Sequence, residues 1–283
     1  MDTFVFVAVL FAAACHAGWN ASIKRTLDPL ATTVLIALGA GLVALPGFFY
    51  AGFPAPPSWP WLVASIIIHL FYFAGLIECY RFGDLGQVYP IARGAAPLMT
   101  ATVTTFYLGE LLSTFGWLGI MLLAAGVLLL SLRGGRELAN LDRRAVGAAL
   151  FTAVTICAYS VVDGIGARAA GPGKASAYSV ALFVGIAPVV LAYGMARDGL
   201  AVLPAMRPYW KIGLAGGALA VVSYTIAIWA MTVAPIAIVA ALRETSVLFG
   251  ALIAVLLLKE PLRPARIGAA LMIVAGLVLL RLA

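Results

Sequence analysis

Residues 89–97 read YPIARGAAP, and residues 241–246 read ALRETS. Each stretch places one arginine, Arg93 in the first and Arg243 in the second, inside a long apolar run. On insertion scales an arginine at the centre of a bilayer costs about 2.5–3.5 kcal/mol, so its side chain should face protein or water instead of lipid. The two arginines therefore predict a polar cavity at the middle of a membrane.

The two stretches belong to an internal repeat. Arg243 lies 150 residues after Arg93, and Glu260 lies 150 residues after Glu110. An Ala-Gly pair at 125–126 recurs with the same separation at 275–276. A recurrence of this length indicates that the chain is built from two halves.

The composition is that of a helical membrane protein. The chain of 283 residues is 64% hydrophobic and 10% charged, whereas a soluble domain carries about 25% charged residues. Its apolar runs reach about 20 residues, as transmembrane helices require, and lack the alternation over about 10 residues that is typical of a β-barrel. The predicted fold class is therefore an all-α membrane protein.

Charge and cysteine usage exclude several classes of function. The net charge of +7 comes from basic residues scattered singly between apolar runs, which is typical of membrane topology signals and not of a nucleic-acid interface. Cys15, Cys79 and Cys157 lie within apolar runs and suggest neither disulfides nor a metal site. No nucleophile elbow or phosphate loop is present, so we expect no cofactor, no metal and no enzymatic activity.

Ten membrane spans are predicted, and the polar segment 133–144 divides them into two sets of five. Because five is odd, two such units in tandem enter the membrane from opposite sides, and an inverted repeat of this kind is typical of alternating-access transporters. The predicted halves cover residues 1–137 and 138–283. The predicted spans are 3–24, 30–51, 59–80, 86–107, 111–132, 145–167, 176–196, 210–232, 235–258 and 266–282.

Lysine and arginine are unequally distributed between the connections. Thirteen of them lie in or beside the connections that follow odd-numbered spans, and three lie on the other side. Because basic residues concentrate in cytoplasmic loops, this count predicts that the odd-numbered connections are cytoplasmic and that both termini lie outside.

Polar side chains within the spans form stripes on helical faces and are the candidate site residues. We expect the arginines to hold an anionic group as charge-assisted donors, and a histidine near its ordinary pKa suits proton coupling. The predicted proton-coupling residues are Asp163 and His16, with Glu244 as another candidate. The predicted substrate-binding residues are Arg93, Arg243, Glu244, Asn20, Tyr89, Trp19, Tyr159 and Trp229.

Each of these features also has a purely structural interpretation. Arg243 could pair with Asp163, and Arg93 could pair with Glu78 or Glu244, so that the pairs only hold helices together. Trp19 and Trp229 could be packing or interface anchors. Glu110 and Glu260 are expected only to mark the turns between spans.

Prolines and glycines predict where helices bend and where they pack closely. Pro90 and Pro97 lie on either side of Arg93 and predict a bend that aims the arginine inward. The pattern at 116–119 in span five and the pattern at 268–272 in span ten predict helix-packing surfaces, which would place these spans away from the cavity.

The sequence resembles the drug/metabolite transporter superfamily over nearly its whole length. The resemblance lies in HAGWN at 16–20, GDLGQVYPIARGAAP at 83–97, GE at 109–110 and KEP at 259–261. Within the superfamily the chain is similar to the EamA-type permeases. The resemblance implies that helices one, three, four, six, eight and nine surround a central cavity. It also implies cytoplasmic termini, which is the reverse of what the charge count predicts.

These observations lead to the hypothesis of a secondary active transporter of the inner membrane. It would export a small anionic or zwitterionic metabolite by alternating access. Its partners would be this substrate, the surrounding membrane lipids and, as an open alternative, a second copy of the chain in a homodimer. The alternatives are a proton-coupled exporter of cationic drugs built on Asp163 and Glu244, a flippase for a lipid-linked head group, and an intramembrane enzyme that uses Asp163, Glu244 and His16 as acid and base groups.

Overall fold

The computed structural model describes residues 1–23, 29–82, 85–131, 143–258 and 264–283. Within these ranges every regular element is a helix and there is no strand. The helices are α1 (Thr3–Ile23), α2 (Pro29–Ala44), α3 (Gly47–Ala51), α4 (Trp59–Phe82), α5 (Leu85–Leu108), α6 (Thr114–Ser131), α7 (Arg143–Ala169), α8 (Ala175–Asp198), α9 (Val202–Met206), α10 (Trp210–Val233), α11 (Ile236–Arg243), α12 (Ser246–Leu258) and α13 (Pro264–Leu282).

Length and composition place this bundle in a membrane. Four helical stretches of the described chain are long and apolar enough to cross a bilayer, namely Pro56–Glu78, Arg143–Ala169, Ala175–Val233 and Ile236–Ile253. Shorter apolar helices accompany them, and large apolar side chains such as Phe106 point outward. The fold is that of an all-α membrane protein, and the count of ten spans stays a prediction.

The helices pack in a pattern that pairs the first part of the chain with the second. Helix α4 packs on α7, and α10 packs on α1. Helix α5 also packs on α7, while α11 and α12 pack on α1. Two further pairs, α2 with α8 and α6 with α13, join the two parts directly. The buried apolar core includes residues of these two pairs as well, such as Val34 on α2, Leu182 on α8 and Ile120 on α6.

Helices α6 and α13 approach each other through small residues. A Cβ built on Gly119 would lie 3.0 Å from the carbonyl oxygen of Gly276, and one built on Gly126 would lie 3.0 Å from the carbonyl oxygen of Ala269. The packing role predicted for Gly119 is thus confirmed. No heavy atom of a described residue lies within 4 Å of a Cβ built on Gly268, so the packing role of Gly268 stays a prediction.

Glycines also bring α2 close to α10. A Cβ built on Gly39 would lie 2.1 Å from the carbonyl oxygen of Gly213, and one built on Gly217 would lie 2.3 Å from the backbone nitrogen of Ala40. Only residues without a side chain allow the two backbones to come this near. This contact fixes the position of α10, which carries part of the candidate site.

The predicted span nine contains a tight turn in its middle. Helix α11 ends at Arg243, a turn follows at Glu244 and Thr245, and α12 begins at Ser246. The backbone N–H groups of Glu244 and Thr245 each bond to a carbonyl oxygen three residues earlier, so the chain continues in the same direction as one apolar span. Helix α5 runs from Leu85 to Leu108 and includes Pro97. Its Arg93 is buried, as the sequence predicted, and the bend between Pro90 and Pro97 stays a prediction.

The two chain ends lie side by side. The Arg281 guanidinium donates hydrogen bonds to the backbone oxygen of Met1 at 2.6 Å and to the hydroxyl of Thr3 at 2.5 Å. The start of α1 and the end of α13 therefore share one end of the bundle, as an even number of crossings requires.

Candidate functional site

The turn between α11 and α12 and the first residue of α12 supply two partners for the first buried arginine. The Nε atom of Arg93, on α5, lies 2.7 Å from Oε2 of Glu244, and its Nη2 atom donates a hydrogen bond of 2.9 Å to the hydroxyl of Ser246. The Arg93 and Glu244 side chains are only 3% and 4% exposed. Of the two carboxylates that the sequence left open for Arg93, the structure selects Glu244.

The space beside this ion pair is closed. A narrow seam runs between α5, α7 and α11, and it is too narrow to admit a water-sized sphere. The described residues beside Arg93 therefore leave no room for water, and the polar cavity that the sequence predicts at the middle of the membrane stays a prediction. The seam is lined by Ala96, Pro97, Thr100, Ile156, Ser160, Ala240, Arg243 and Glu244.

The second arginine has a different environment. Arg243 is partly exposed, and its Cζ atom lies 4.5 Å from the centroid of the Tyr224 ring on α10. A guanidinium over an aromatic face at this distance makes a cation–π contact. Among the described residues no ion pair joins Arg243 to Asp163, so the pairing that the sequence left open does not occur.

Asp163 lies at the centre of a cluster of hydroxyl groups. Its side chain, on α7, is fully buried. Tyr178, on α8, donates a hydrogen bond of 2.9 Å to Oδ1, and Tyr224 donates a short hydrogen bond to Oδ2. The Ser65 hydroxyl of α4 also reaches Asp163. We call Asp163, Ser65, Tyr178 and Tyr224 the Asp163 cluster.

Aromatic rings enclose the Asp163 cluster on the side of α4. The ring of His69 stacks on Tyr159 with centroids 4.4 Å apart, and Tyr159 meets Tyr224 edge to face at 6.0 Å. Nδ1 of His69 lies 3.1 Å from the Ser65 hydroxyl and 2.9 Å from the Ser65 carbonyl oxygen. The cluster is thus held by helices α4, α7, α8 and α10.

The structure brings together some of the predicted site residues and separates others. Tyr159 and Asp163 lie in and around the Asp163 cluster, whereas Trp229 packs edge to face on Phe4 at 5.8 Å. His16 is partly exposed, and it lies close enough to Arg93 and Arg243 for the charges of both guanidinium groups to act on its ring.

Three other predicted side chains lie outside the part of the chain that the structure describes. They are the side chains of Trp19, Asn20 and Tyr89.

Sequence reasoning missed the residues that hold Asp163. Tyr178 is 15 residues from Asp163 along the chain, and Tyr224 is 61 residues away. Neither tyrosine belongs to a motif, and both lie among apolar residues where an aromatic side chain is normally packing. Only the contact between α7, α8 and α10 reveals their role.

A second polar network closes the bundle at the end that carries the chain termini. Oε1 of Glu110 lies 2.6 Å from Nη2 of Arg168, and its Oε2 accepts a hydrogen bond of 2.9 Å from the backbone N–H of Ile236. Arg168 also donates hydrogen bonds to the backbone oxygens of Met231 and Ala234. Glu110 does more than mark a turn, and we call this network the Glu110 cluster.

Another ion pair lies at the opposite end. Arg168 is near the end of α7, just before α8 begins, whereas Arg197 is near the end of α8. The Nη1 atom of Arg197 lies 3.0 Å from Oε1 of Glu78, and both side chains are about one third exposed. Glu78 therefore forms an ion pair with Arg197, whereas Arg93 forms its ion pair with Glu244.

Comparisons with known proteins inform the fold only. No protein-family model matches the chain, and no curated protein matches it. Twenty-nine chains of solved structures do match. One of these matches is described only as the crystal structure of a protein. The alignment covers 99% of the present chain and 96% of the matched chain, with a TM-score of 0.75 and 20% sequence identity. At this identity the likeness shows that the two chains share a fold.

Proposed function

We propose that this protein is a secondary active transporter of the EamA type that moves a small anionic or zwitterionic metabolite across the inner membrane by alternating access. The observation that carries the proposal is the position of two arginines inside the bundle, one beside a buried carboxylate and the other over a ring of the Asp163 cluster. Charged residues within membrane helices normally line a substrate or ion pathway.

The helix contacts support an inverted repeat of two five-helix halves. Gly119 contacts Gly276, and Ala269 contacts Gly126. Adding 150 to the number of Gly119 gives Ala269, and subtracting 150 from that of Gly276 gives Gly126. One contact is therefore the image of the other under the sequence repeat. The contacts of whole helices agree with this repeat. Helix α4 packs on α7, and their repeat equivalents α10 and α1 also pack on each other.

The two arginines have different roles in this proposal. Arg243 is partly exposed and forms no ion pair with a described residue, so its guanidinium is the first contact for an incoming carboxylate or phosphate. Arg93 is held by Glu244. A substrate anion reaches Arg93 only by replacing the Glu244 carboxylate. Substrate binding at Arg93 is therefore linked to a rearrangement of the turn between α11 and α12.

A second candidate function is the export of a cation. The buried carboxylate of Asp163 with the rings of His69, Tyr159 and Tyr224 around it is the kind of site that binds organic cations. Arg243 already lies over the Tyr224 ring, where it competes with a cationic ligand. This contact favours the anionic substrate.

Thermal stabilisation of the purified protein distinguishes the two candidates. A ligand that binds only the folded state at 100 times its Kd adds about 2.7 kcal/mol of stability. We expect small carboxylates, phosphates or zwitterions from a metabolite panel to raise the Tm of the wild type, and Arg243→Gln to abolish the rise. Arg197→Gln, which removes an arginine distant from the site, is the matched control. Stabilisation by organic cations alone would favour the second candidate.

Transport by Arg243→Ala gives a quantitative test. A hydrogen bond to a charged group contributes about 1.5–3 kcal/mol, so the half-saturating concentration of the substrate should rise by roughly 10- to 150-fold. The measurement is uptake of the radiolabelled ligand from the thermal panel into proteoliposomes. Unchanged kinetics for Arg243→Ala would refute the role of this residue.

The Glu110 cluster should close the pathway at the end that carries the termini. Glu110→Ala removes the ion pair to Arg168, and a loss of 1–2 kcal/mol of closure increases the open fraction about 5- to 30-fold. Cys157 is a native probe, because it is buried next to Thr100 at the seam. In a Cys15→Ser, Cys79→Ser background we expect Glu110→Ala to accelerate Cys157 modification by an impermeant thiol reagent by this factor.

The control for this labelling is Glu78→Ala, which breaks the ion pair at the opposite end. The reagent is added from the side that carries the termini in both cases. Equal labelling rates for the Glu110 and Glu78 variants would show that the Glu110 cluster is not a closure.

A further inference from the structure

Tyr224 belongs to both polar sites. Its hydroxyl donates a hydrogen bond to Oδ2 of Asp163, and its ring lies 4.5 Å below the guanidinium of Arg243. Tyr178 donates to the other oxygen of the same carboxylate at 2.9 Å, and none of its described contacts reaches Arg243. Both tyrosines therefore donate a hydrogen bond to the Asp163 carboxylate, but only the ring of Tyr224 contacts Arg243 among their described interactions.

Among the described residues Asp163 forms no ion pair with an arginine or a lysine, and the basic group that acts on it is His69 on α4. Burial of an unpaired carboxylate is strongly unfavourable, and such groups normally neutralise by binding a proton. Donors to both oxygens stabilise the ionised form, so both protonation states are accommodated. The titratable or charged groups that face this region are His16 on α1, His69 on α4, Arg93 on α5, Tyr159 on α7, Tyr178 on α8, Tyr224 on α10, Arg243 at the end of α11 and Glu244 at the turn that follows it.

We propose that Asp163 is the proton-binding site of this transporter and that Tyr224 couples its protonation to anion binding at Arg243. This inference rests on the proposed function. When Asp163 is ionised, Tyr224 donates its O–H to Oδ2, which makes the phenol ring more electron-rich and strengthens its attraction for Arg243. When a proton binds Oδ2, that oxygen becomes the donor and Tyr224 accepts. The ring then attracts the guanidinium less strongly, and Arg243 is available to the substrate.

The sign of this coupling determines the direction of transport. Protonation of Asp163 frees Arg243 and also removes a negative charge near the anion. Both effects make the anion bind better when the proton is bound, and by linkage the proton binds better when the anion is present. Proton and anion therefore travel together, so an inward proton gradient drives uptake. This differs from the export that the sequence predicts.

A double-mutant cycle tests the coupling without any substrate. The probe is the proton, and the readout is the infrared carboxyl band of Asp163 in the purified full chain as a function of pH. The band is assigned by its loss in Asp163→Asn and by its shift on labelling with ¹³C-aspartate, which separates it from Glu244 even if the variant does not fold.

We expect Arg243→Gln to change the proton affinity of Asp163 by about fivefold or more, the lower limit of typical coupling between sites. In the Tyr224→Phe background, which keeps the ring and removes the hydroxyl, the change should fall to less than twofold. In the Tyr178→Phe background it should stay as large as in the wild type. Equal changes in the two tyrosine backgrounds, or a band that does not titrate, would overturn the proposal.

This experiment is independent of the transport assay. One outcome is that an anion stabilises the wild type but not Arg243→Gln, while the effects of Arg243→Gln and Tyr224→Phe on the proton affinity of Asp163 are additive. This outcome would support the proposed function and contradict the coupling through Tyr224. A non-additive cycle without any stabilising anion would keep the proton site and remove the proposed substrate class.

Discussion

Replacing Glu244 with alanine should lower the free energy of unfolding by about 3–5 kcal/mol, the usual cost of removing one partner of a buried ion pair. Glu244 lies 2.7 Å from Arg93, and both side chains are almost inaccessible to solvent. Its removal leaves the guanidinium of Arg93 in the core without this carboxylate. The measurement is reversible unfolding of the purified protein in mixed micelles with increasing SDS.

Two further variants separate this effect from the general loss of a carboxylate. Glu78→Ala breaks an ion pair whose side chains are about one third exposed, and pairs at such positions contribute about 0.2–1 kcal/mol. The double variant Arg93→Met, Glu244→Met should recover most of the stability, since apolar replacement of a whole buried pair is often neutral. If Glu244→Ala were no more destabilising than Glu78→Ala, the pair would not be buried as described.

Gly39→Ala should destabilise the bundle by about 1–3 kcal/mol or more, the usual cost of overpacking. Its Cβ would lie 2.1 Å from the carbonyl oxygen of Gly213. Backbone atoms cannot rotate out of the way as a side chain can, so α2 and α10 must separate. Because α10 carries Tyr224, the same variant should also weaken ligand-induced stabilisation.

The matched control for Gly39 is another helical glycine in open space. Within the described ranges no heavy atom lies within 4 Å of a Cβ built on Gly147 in α7, so Gly147→Ala should stabilise the helix by up to about 1 kcal/mol, the ordinary difference between glycine and alanine. The two substitutions therefore have opposite expected signs in the same unfolding assay. Equal Tm values would show that α2 and α10 are not in close contact.

The extent of several helices could be predicted from the sequence because it depends on a local property. The predicted span 59–80 corresponds to α4 at Trp59–Phe82, and the predicted span 210–232 corresponds to α10 at Trp210–Val233. A bilayer selects apolar runs of sufficient length, and run length is read directly along the chain. The class of the protein followed from the same property.

The turn within span nine could not be predicted in this way. Neither glycine nor proline marks Glu244 and Thr245. A membrane helix departs from regular geometry where neighbouring groups satisfy its backbone and side chains. At Glu244 the neighbour is Arg93, which is 151 residues away in the chain.

The sequence by itself determined that this is a helical membrane protein with two arginines in repeat-related apolar runs, because hydrophobicity and repetition are properties of the chain alone. Only the tertiary structure decided which charge meets which partner. It gave Arg93 the carboxylate of Glu244, gave Arg243 the ring of Tyr224, and surrounded Asp163 with tyrosines from two other helices. Such pairings depend on distances between helices, and those distances are set by how the helices pack.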